Sequence, residues 1–209
     1  FCRAAVRRLG CALPRRQRSR PAASAGHLRR VRGRLAFVRG GQIWGGEIGG
    51  AVARLFFARG RNGSPAWSPG GRLLAFVSDR DDHSLIGLYS GPTSAIRYLA
   101  PSTSRDSRPV WSPDGRRIAF VRQPGRGGAR RPPLEQVPQP WSVWVVDVET
   151  GEAHEAWRSG ESLADSIPRT LGGPNLNWAE GDRLVFLSSR DGWPHLYSVP
   201  AAGGAKPTL

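Results

Sequence analysis

The sequence contains no methionine and only one lysine, Lys206, among its 209 residues. An intact translation product normally begins with methionine, whereas this chain begins with Phe1. We therefore expect the chain to be a piece of a longer protein. Arginine supplies nearly all of the positive charge, and this predominance of one basic residue type is typical of a coding bias.

Cysteine is also scarce, since Cys2 and Cys11 are the only two. Their spacing matches no zinc pattern, and one pair cannot form a disulfide framework, so the core must be stable without cross-links. No apolar run approaches the length of a membrane helix. We therefore expect no membrane partner, and a cytoplasmic location is favoured.

Acidic residues are absent from the first 34 positions, which carry eleven arginines. Removing these eleven charges from the net +15 leaves only +4 for residues 35–209, an ordinary surface charge. Residues 1–32 are predicted to form a basic, disordered arm. Such an arm can bind nucleic acid or anionic lipid or serve in targeting, but it lacks aromatics beyond Phe1 for base stacking. Nucleic acid is therefore not the expected partner.

What the chain does contain, from residue 33 onward, is a repeated strand pattern with a conspicuous phenylalanine. Four apolar cores, each beginning with arginine, are centred on Phe37, Phe76, Phe120 and Phe186. A second strand with an aromatic residue follows each core. A period near 40 residues built from short strands is typical of propeller blades. The prediction is an all-β chain: a partial β-propeller of about four blades of four-stranded antiparallel sheet.

Three of these cores follow a tryptophan and a turn, and one of the turns is Trp111-Ser-Pro-Asp-Gly115. Proline fixes φ near the value that a type I turn requires, and Asp-Gly supplies permissive residues after it. Tryptophan offers a large apolar surface to pack between adjacent sheets. A stripe of aromatics can also serve as a ligand platform, but fixed recurrence favours packing. The structural repeat residues are Trp67, Pro69, Trp111, Pro113, Asp114, Gly115, Trp178, Phe37, Phe76, Phe120 and Phe186.

Residues 33–209 are thus predicted to be one incomplete propeller segment, interrupted by an irregular insertion at 122–140. The insertion is rich in proline, glycine and arginine, as irregular loops are. A second irregular stretch spans residues 159–175. Long excursions of this kind are often functional, although their sequence does not indicate how.

These strings resemble two families. "SPAWSPGGRLLAFVSDRDD" and "SRPVWSPDGRRIAFVR" are similar to the repeats of TolB-like propellers, and equally to the N-terminal propeller of the prolyl oligopeptidase and dipeptidyl peptidase IV family. Arg190–Tyr197, "RDGWPHLY", is more similar to the peptidase branch. The resemblance implies a noncatalytic propeller that gates peptide substrates and docks a C-terminal α/β-hydrolase domain of the same polypeptide. The alternative is a TolB-like protein-binding scaffold without a hydrolase.

No catalytic, cofactor-binding or metal-binding residue is predicted within the chain itself. The Gly-x-Ser-x-Gly elbow of such hydrolases is absent, so any peptidase activity of the longer protein must reside outside these residues. The four histidines are scattered without zinc spacing, and we expect His195 to pack or hydrogen-bond locally. The adjacent glutamates that bind the substrate amine in dipeptidyl peptidase IV-like enzymes are also missing. We therefore expect no cofactor.

Overall fold

A computed structural model describes residues 29–31, 33–127 and 136–209, and all regular secondary structure in these residues is β-strand. The predicted all-β class is confirmed. The strands are β1 (Arg29–Val31), β2 (Arg34–Arg39), β3 (Gln42–Glu47), β4 (Val52–Arg54), β5 (Arg61–Trp67), β6 (Leu74–Asp79), β7 (Ser84–Tyr89), β8 (Arg97–Leu99), β9 (Arg105–Trp111), β10 (Arg117–Gln123), β11 (Ser142–Asp147), β12 (Ala153–Arg158), β13 (Asn177–Ala179), β14 (Arg183–Ser188) and β15 (His195–Pro200).

These strands form four successive antiparallel meanders, which we call units 1 to 4. Unit 1 is the sheet β1–β4, unit 2 is β5–β8, unit 3 is β9–β12 and unit 4 is the three-stranded sheet β13–β15. A single parallel pair, Ser84 with Arg105, joins units 2 and 3 into one eight-stranded sheet. In unit 4 an isolated antiparallel bridge between Ser198 and Thr208 lies beside β15.

The four strand cores predicted from the phenylalanine repeat form β2, β6, β10 and β14, and the strands predicted after them form β3, β7, β11 and β15. Both sets are confirmed. Their apolar residues form strands because β-branched and aromatic side chains pack well on a pleated surface. Side chains on both faces of β6 and β10 are buried, as expected for sheets that pack against neighbours on each side.

The core consists of three apolar clusters, each located between consecutive units. Phe76 packs with Ala36 and Ile43 of unit 1. Phe120 packs against unit 2, and Phe186 packs against unit 3. These three rings are fully buried, whereas Phe37, whose unit has no described predecessor, is half-buried. Units 2, 3 and 4 therefore each present their phenylalanine to the unit before them.

Each serine-proline turn is closed by a backbone hydrogen bond. The amide of Gly115 donates to the carbonyl of Ser112 at 2.9 Å, and that of Gly71 donates to Ser68 at 2.8 Å. In the Ser112–Gly115 turn, the Asp114 carboxylate accepts hydrogen bonds from the Ser112 hydroxyl at 2.5 Å and from the Arg116 amide at 3.0 Å. Gly115 has φ 72°, a value that glycine adopts without steric cost.

Two predicted boundaries differ from the structure. Within the predicted arm, Arg29–Val31 form strand β1, because Gly33, with φ 79°, reverses the chain and lets Val31 pair with Arg34. The predicted insertion begins two residues too early, because Arg122 and Gln123 continue β10 and pair with β9. The rest of the predicted arm (residues 1–28 and 32) and residues 128–135 of the insertion lie outside the described residues.

Candidate functional site

The tryptophans of the turns lie at the seams between units. Trp67 and Trp111 are 6% and 8% exposed, and Trp178 is half-buried. Each belongs to the cluster formed with the preceding unit. The Trp111 indole also donates to the carbonyl of Ala66 in unit 2 at 2.8 Å. Pro69, Pro113 and Asp114 are exposed on the turns themselves.

Arginines from the preceding unit cover two of these indoles. The guanidinium of Arg34 lies 4.5 Å from the Trp67 ring centroid, and that of Arg117 lies 4.9 Å from the Trp178 ring. Arg117 also donates two hydrogen bonds to the Asp182 carboxylate, at 3.0 and 2.8 Å. The seam between units 3 and 4 therefore combines cation–π contact with a bidentate ion pair.

The histidines form no catalytic arrangement with serine among the described residues. His83 lies 2.6 Å from the carboxylate of Asp82, and the His154 ring contacts the carbonyl of Ala201 at 2.9 Å. His195 is exposed on β15, and the expectation that it packs or hydrogen-bonds locally stays a prediction. In the same described part of the chain, no group of three or more potential metal ligands occurs. The described segments also contain no helix long and apolar enough to cross a membrane.

A second repeated feature, which the sequence analysis did not detect, lies three residues before each of the repeat tryptophans Trp67, Trp111 and Trp178. Ser64, Arg108 and Asn175 occupy this position in units 2, 3 and 4, and all three have positive φ, at 48°, 56° and 45°. In β5 and β9 the strand register shifts at this point, as in a β-bulge. A bulge bends its strand and redirects side chains, and such bulges are over-represented next to functional sites.

These three positive-φ residues line a common cleft, which we call the bulge cleft. It has a volume of about 160 Å³ and lies where β5, β9 and the segment leading into β13 meet. Its lining consists of Ser64, Pro65, Ala66, Arg108, Pro109, Val110, Gly172, Asn175, Leu176 and Asn177. Three successive units thus contribute equivalent residues to one concave surface.

Arg108 is the charged residue of this lining. It is half-buried, and its side chain has no hydrogen bond or ion pair with another described residue. Burial lowers the pKa of its guanidinium, which nevertheless stays protonated because the ordinary pKa of arginine lies far above neutral. The cleft therefore contains a fixed positive charge without a counter-ion among the described residues.

The Gly172–Gly173 turn positions the polar groups of the cleft. A Cβ placed on Gly173 would lie only 2.7 Å from an Arg108 guanidinium nitrogen, and one on Gly172 would lie 2.0 Å from the Asn175 amide oxygen. A Cβ at either position would displace these side chains, and both glycines have positive φ, 91° and 60°, a conformation that other residues rarely adopt. Arg108 and Asn175 are therefore held against the same turn.

Behind the cleft, β9 and β10 bury an ion pair. The Asp106 side chain is fully buried, and it accepts hydrogen bonds from the Arg122 guanidinium at 2.7 and 2.8 Å. Arg122 also donates to the carbonyl of Ala100 at 2.7 Å. Burial raises the pKa of Asp106, and the Arg122 hydrogen bonds oppose that rise. The pair secures the strand immediately before the Arg108 bulge.

The equivalent pair in unit 2 is neutral. Asn62 pairs with Ser78 across β5 and β6, in the register at which Asp106 pairs with Arg122 in unit 3. The buried Asn62 amide donates to Gln42 and to the carbonyl of Ala58, both at 3.1 Å. The signal for these residues was in the sequence: Asn62 and Asp106 both stand five residues before a repeat tryptophan.

Comparison with known proteins gave matches among solved structures only. No protein-family model matches the chain. No curated protein matches it either. A TolB from Agrobacterium tumefaciens superposes with a TM-score of 0.56 and 20% identity, over 82% of this chain and 56% of that protein.

Two enzymes of different activity are also similar in structure. The acylaminoacyl peptidase of Pyrococcus horikoshii matches with a TM-score of 0.57 and 16% identity, over 88% of this chain and 32% of the peptidase. An oligogalacturonate lyase from Vibrio parahaemolyticus matches with a TM-score of 0.52 and 18% identity, over 80% of this chain and 46% of the lyase.

The chain therefore spans less than two thirds of the length of each of these proteins. Because proteins of different function share the same architecture, identities this low establish the fold and leave the activity open. The sheets of this chain have the β-propeller fold.

Proposed function

We propose that the chain is the noncatalytic propeller portion of a prolyl oligopeptidase-family serine peptidase. In this role it gates the access of peptides and docks a C-terminal α/β-hydrolase domain located outside these 209 residues. The observation that carries the proposal is the superposition of most of the chain on one part of an acylaminoacyl peptidase. The similarity of Arg190–Tyr197 to the peptidase branch supports the same choice. The cytoplasmic location stays a prediction.

The size of the bulge cleft is consistent with gating. At about 160 Å³ it is smaller than the pockets that enclose drug-sized ligands, which measure roughly 300–1,000 Å³. A cleft of this size accepts one end or one side chain of an extended peptide, and a folded domain cannot enter it. The proposed substrates are accordingly peptides.

In this proposal the four units are four blades of an incomplete propeller, with unit 4 contributing three strands. The residues of the structural repeat hold the blades together and take no part in chemistry. Support comes from their placement, because Trp67 and Trp111 lie in the seams together with Phe76 and Phe120. Aromatic side chains suit this task because each one buries a large apolar area.

A second candidate function is that of a TolB-like scaffold that binds a protein partner and has no hydrolase. The superposition on TolB favours it, since the identity there is 20% over 82% of the chain. Under this alternative the exposed turns and the bulge cleft would contact the partner directly.

The coding sequence downstream of Leu209 distinguishes the two functions. The peptidase proposal predicts a Gly-x-Ser-x-Gly elbow on a strand-to-helix turn, followed by the aspartate and histidine of the triad. A stop codon after further tryptophan-turn repeats, with no elbow, would refute the peptidase and support the scaffold.

A further inference from the structure

We propose that the bulge cleft is a binding site for a single carboxylate group, such as the C-terminal carboxylate of a short peptide, with Arg108 as its principal ligand. The groups that would bind the carboxylate all belong to this chain. The inference therefore goes beyond the proposed gating role and does not depend on a hydrolase domain.

The charge of the cleft supports an anionic ligand. Of its ten lining residues, Arg108 alone is charged, and no aspartate or glutamate is among them. Within the described residues its guanidinium is not neutralised by an ion pair, in contrast to Arg117 and Arg122. A partly desolvated cation without a counter-ion is stabilised when a bound carboxylate acts as its counter-ion.

The neutral donors of the cleft complete the site. Ser64 offers a hydroxyl, and Asn175 and Asn177 offer side-chain amides. Ser64 and both asparagines are exposed, whereas Arg108 is half-buried. The Asn177 amide already donates one hydrogen bond to the carbonyl of Asn175 at 2.8 Å and has a second N–H to offer. A carboxylate can thus accept two hydrogen bonds from the planar guanidinium of Arg108 and further hydrogen bonds from the neutral groups of the lining.

The number of charges favours a carboxylate over a phosphate. One guanidinium balances one negative charge, whereas a phosphate carries a charge of about −1.5 to −2 at neutral pH. The other lining residues are uncharged, and Pro65, Pro109 and Leu176 are apolar, so no second cation among them balances the remaining phosphate charge. Desolvating that excess charge would weaken phosphate binding.

The test uses the full 209-residue chain and acetyl-dialanine, with the C-terminal amide of the same peptide as the matched uncharged ligand. A titration of each ligand, monitored by saturation-transfer NMR, measures the affinity of the acid and that of the amide. We expect the amide to bind at least about tenfold more weakly, because it cannot form the charge-assisted pair with Arg108. Equal binding of acid and amide would overturn the proposal.

Two variants locate the interaction. Arg108→Gln removes the charge and should weaken binding of acetyl-dialanine at least about tenfold. Arg116→Gln makes the same charge change at an exposed position outside the cleft, and should stay within about twofold of the parent chain because exposed charges are strongly screened. Equal losses in the two variants would indicate nonspecific attraction and refute the site.

A third variant covers the case in which Arg108→Gln does not fold. Asn175→Asp places a carboxylate in the same cleft and keeps a residue type that tolerates positive φ. It should weaken binding of the peptide acid at least about tenfold, because an internal carboxylate then competes for Arg108. Unchanged affinity in this variant, or inorganic phosphate binding more tightly than acetate, would contradict a monocarboxylate site.

Discussion

At the scale of single residues, units 2 and 3 differ at one equivalent position. Unit 3 has the charged pair Asp106–Arg122 where unit 2 has the neutral pair Asn62–Ser78. Asp106→Asn would leave the buried guanidinium of Arg122 without its charged partner. We expect a loss of about 3 kcal/mol in the free energy of unfolding, because an uncompensated buried charge is costly. Urea denaturation monitored by tryptophan fluorescence measures this difference.

The chain supplies its own control for this prediction. Asp106→Asn combined with Arg122→Ser reproduces the Asn62–Ser78 pair of unit 2 in the same register. Since both charges are then removed together, the double variant should be more stable than Asp106→Asn alone. A double variant that is less stable than the single one would contradict the equivalence of the two positions.

Asp114 gives a pH-dependent prediction at the same scale. The Ser112 hydroxyl, followed by the Arg116 amide, lowers the pKa of this carboxyl below its ordinary value of 3.8. A lowered pKa in the folded state stabilises the protein above the ordinary value, and that contribution is lost as the pH falls through the folded value. The difference in unfolding free energy between the parent and Asp114→Asn should thus be largest at neutral pH and shrink below pH 3.8. A difference that is constant from neutral pH to pH 2.5 would refute this.

At the scale of elements, buried aromatic side chains pack in the seams between units. Trp111 is 8% exposed between units 2 and 3, and its removal leaves a cavity and deletes the hydrogen bond to the Ala66 carbonyl. Trp111→Ala should reduce the free energy of unfolding by about 3–5 kcal/mol. Trp193, which is 75% exposed, is the matched control, and its replacement by alanine should change stability by less than about 0.5 kcal/mol. Urea denaturation measures both differences. Similar losses of unfolding free energy in the two variants would contradict the expected contribution of Trp111 to the seam.

The strands could be predicted from the sequence because their signals are local and repeated. The apolar runs around Phe76 and Phe120, together with the serine-proline turns, mark each strand and its reversal. The bulge cleft could not be predicted in this way. Ser64, Arg108 and Asn175 share no chemical character, and only their backbone φ values and the packing of three units bring them together.

At the scale of the whole molecule, the arc of units is open. Among the described residues, the three core clusters join unit 1 to unit 2, unit 2 to unit 3 and unit 3 to unit 4, and none joins unit 1 to unit 4. Each terminal unit therefore has a sheet face without a described neighbouring unit. Leu196 on β15 is 60% exposed, and Phe37 on β2 is only half-buried. Repeat arrays with uncapped ends expose apolar surface and lose solubility.

We therefore predict that the isolated 209-residue chain self-associates. Its weight-average sedimentation coefficient should rise with protein concentration, because burial of the apolar end faces between molecules is favourable. Leu196→Arg should reduce the association by placing a charge on one end face, whereas Leu171→Arg, at a fully exposed loop position, should leave it unchanged. A concentration-independent monomer with reversible, cooperative melting would contradict this expectation.

The most direct test of the proposed function is labelling with a fluorophosphonate probe of active-site serines, followed by mass spectrometry of the modified peptide. The probe requires an activated serine nucleophile, which we assign to a hydrolase domain and not to this propeller segment. The predicted result is a labelled serine in the complete gene product, located outside residues 1–209, and no label on the isolated chain. Labelling of a serine within residues 1–209, or no labelling of the complete product, would contradict the account.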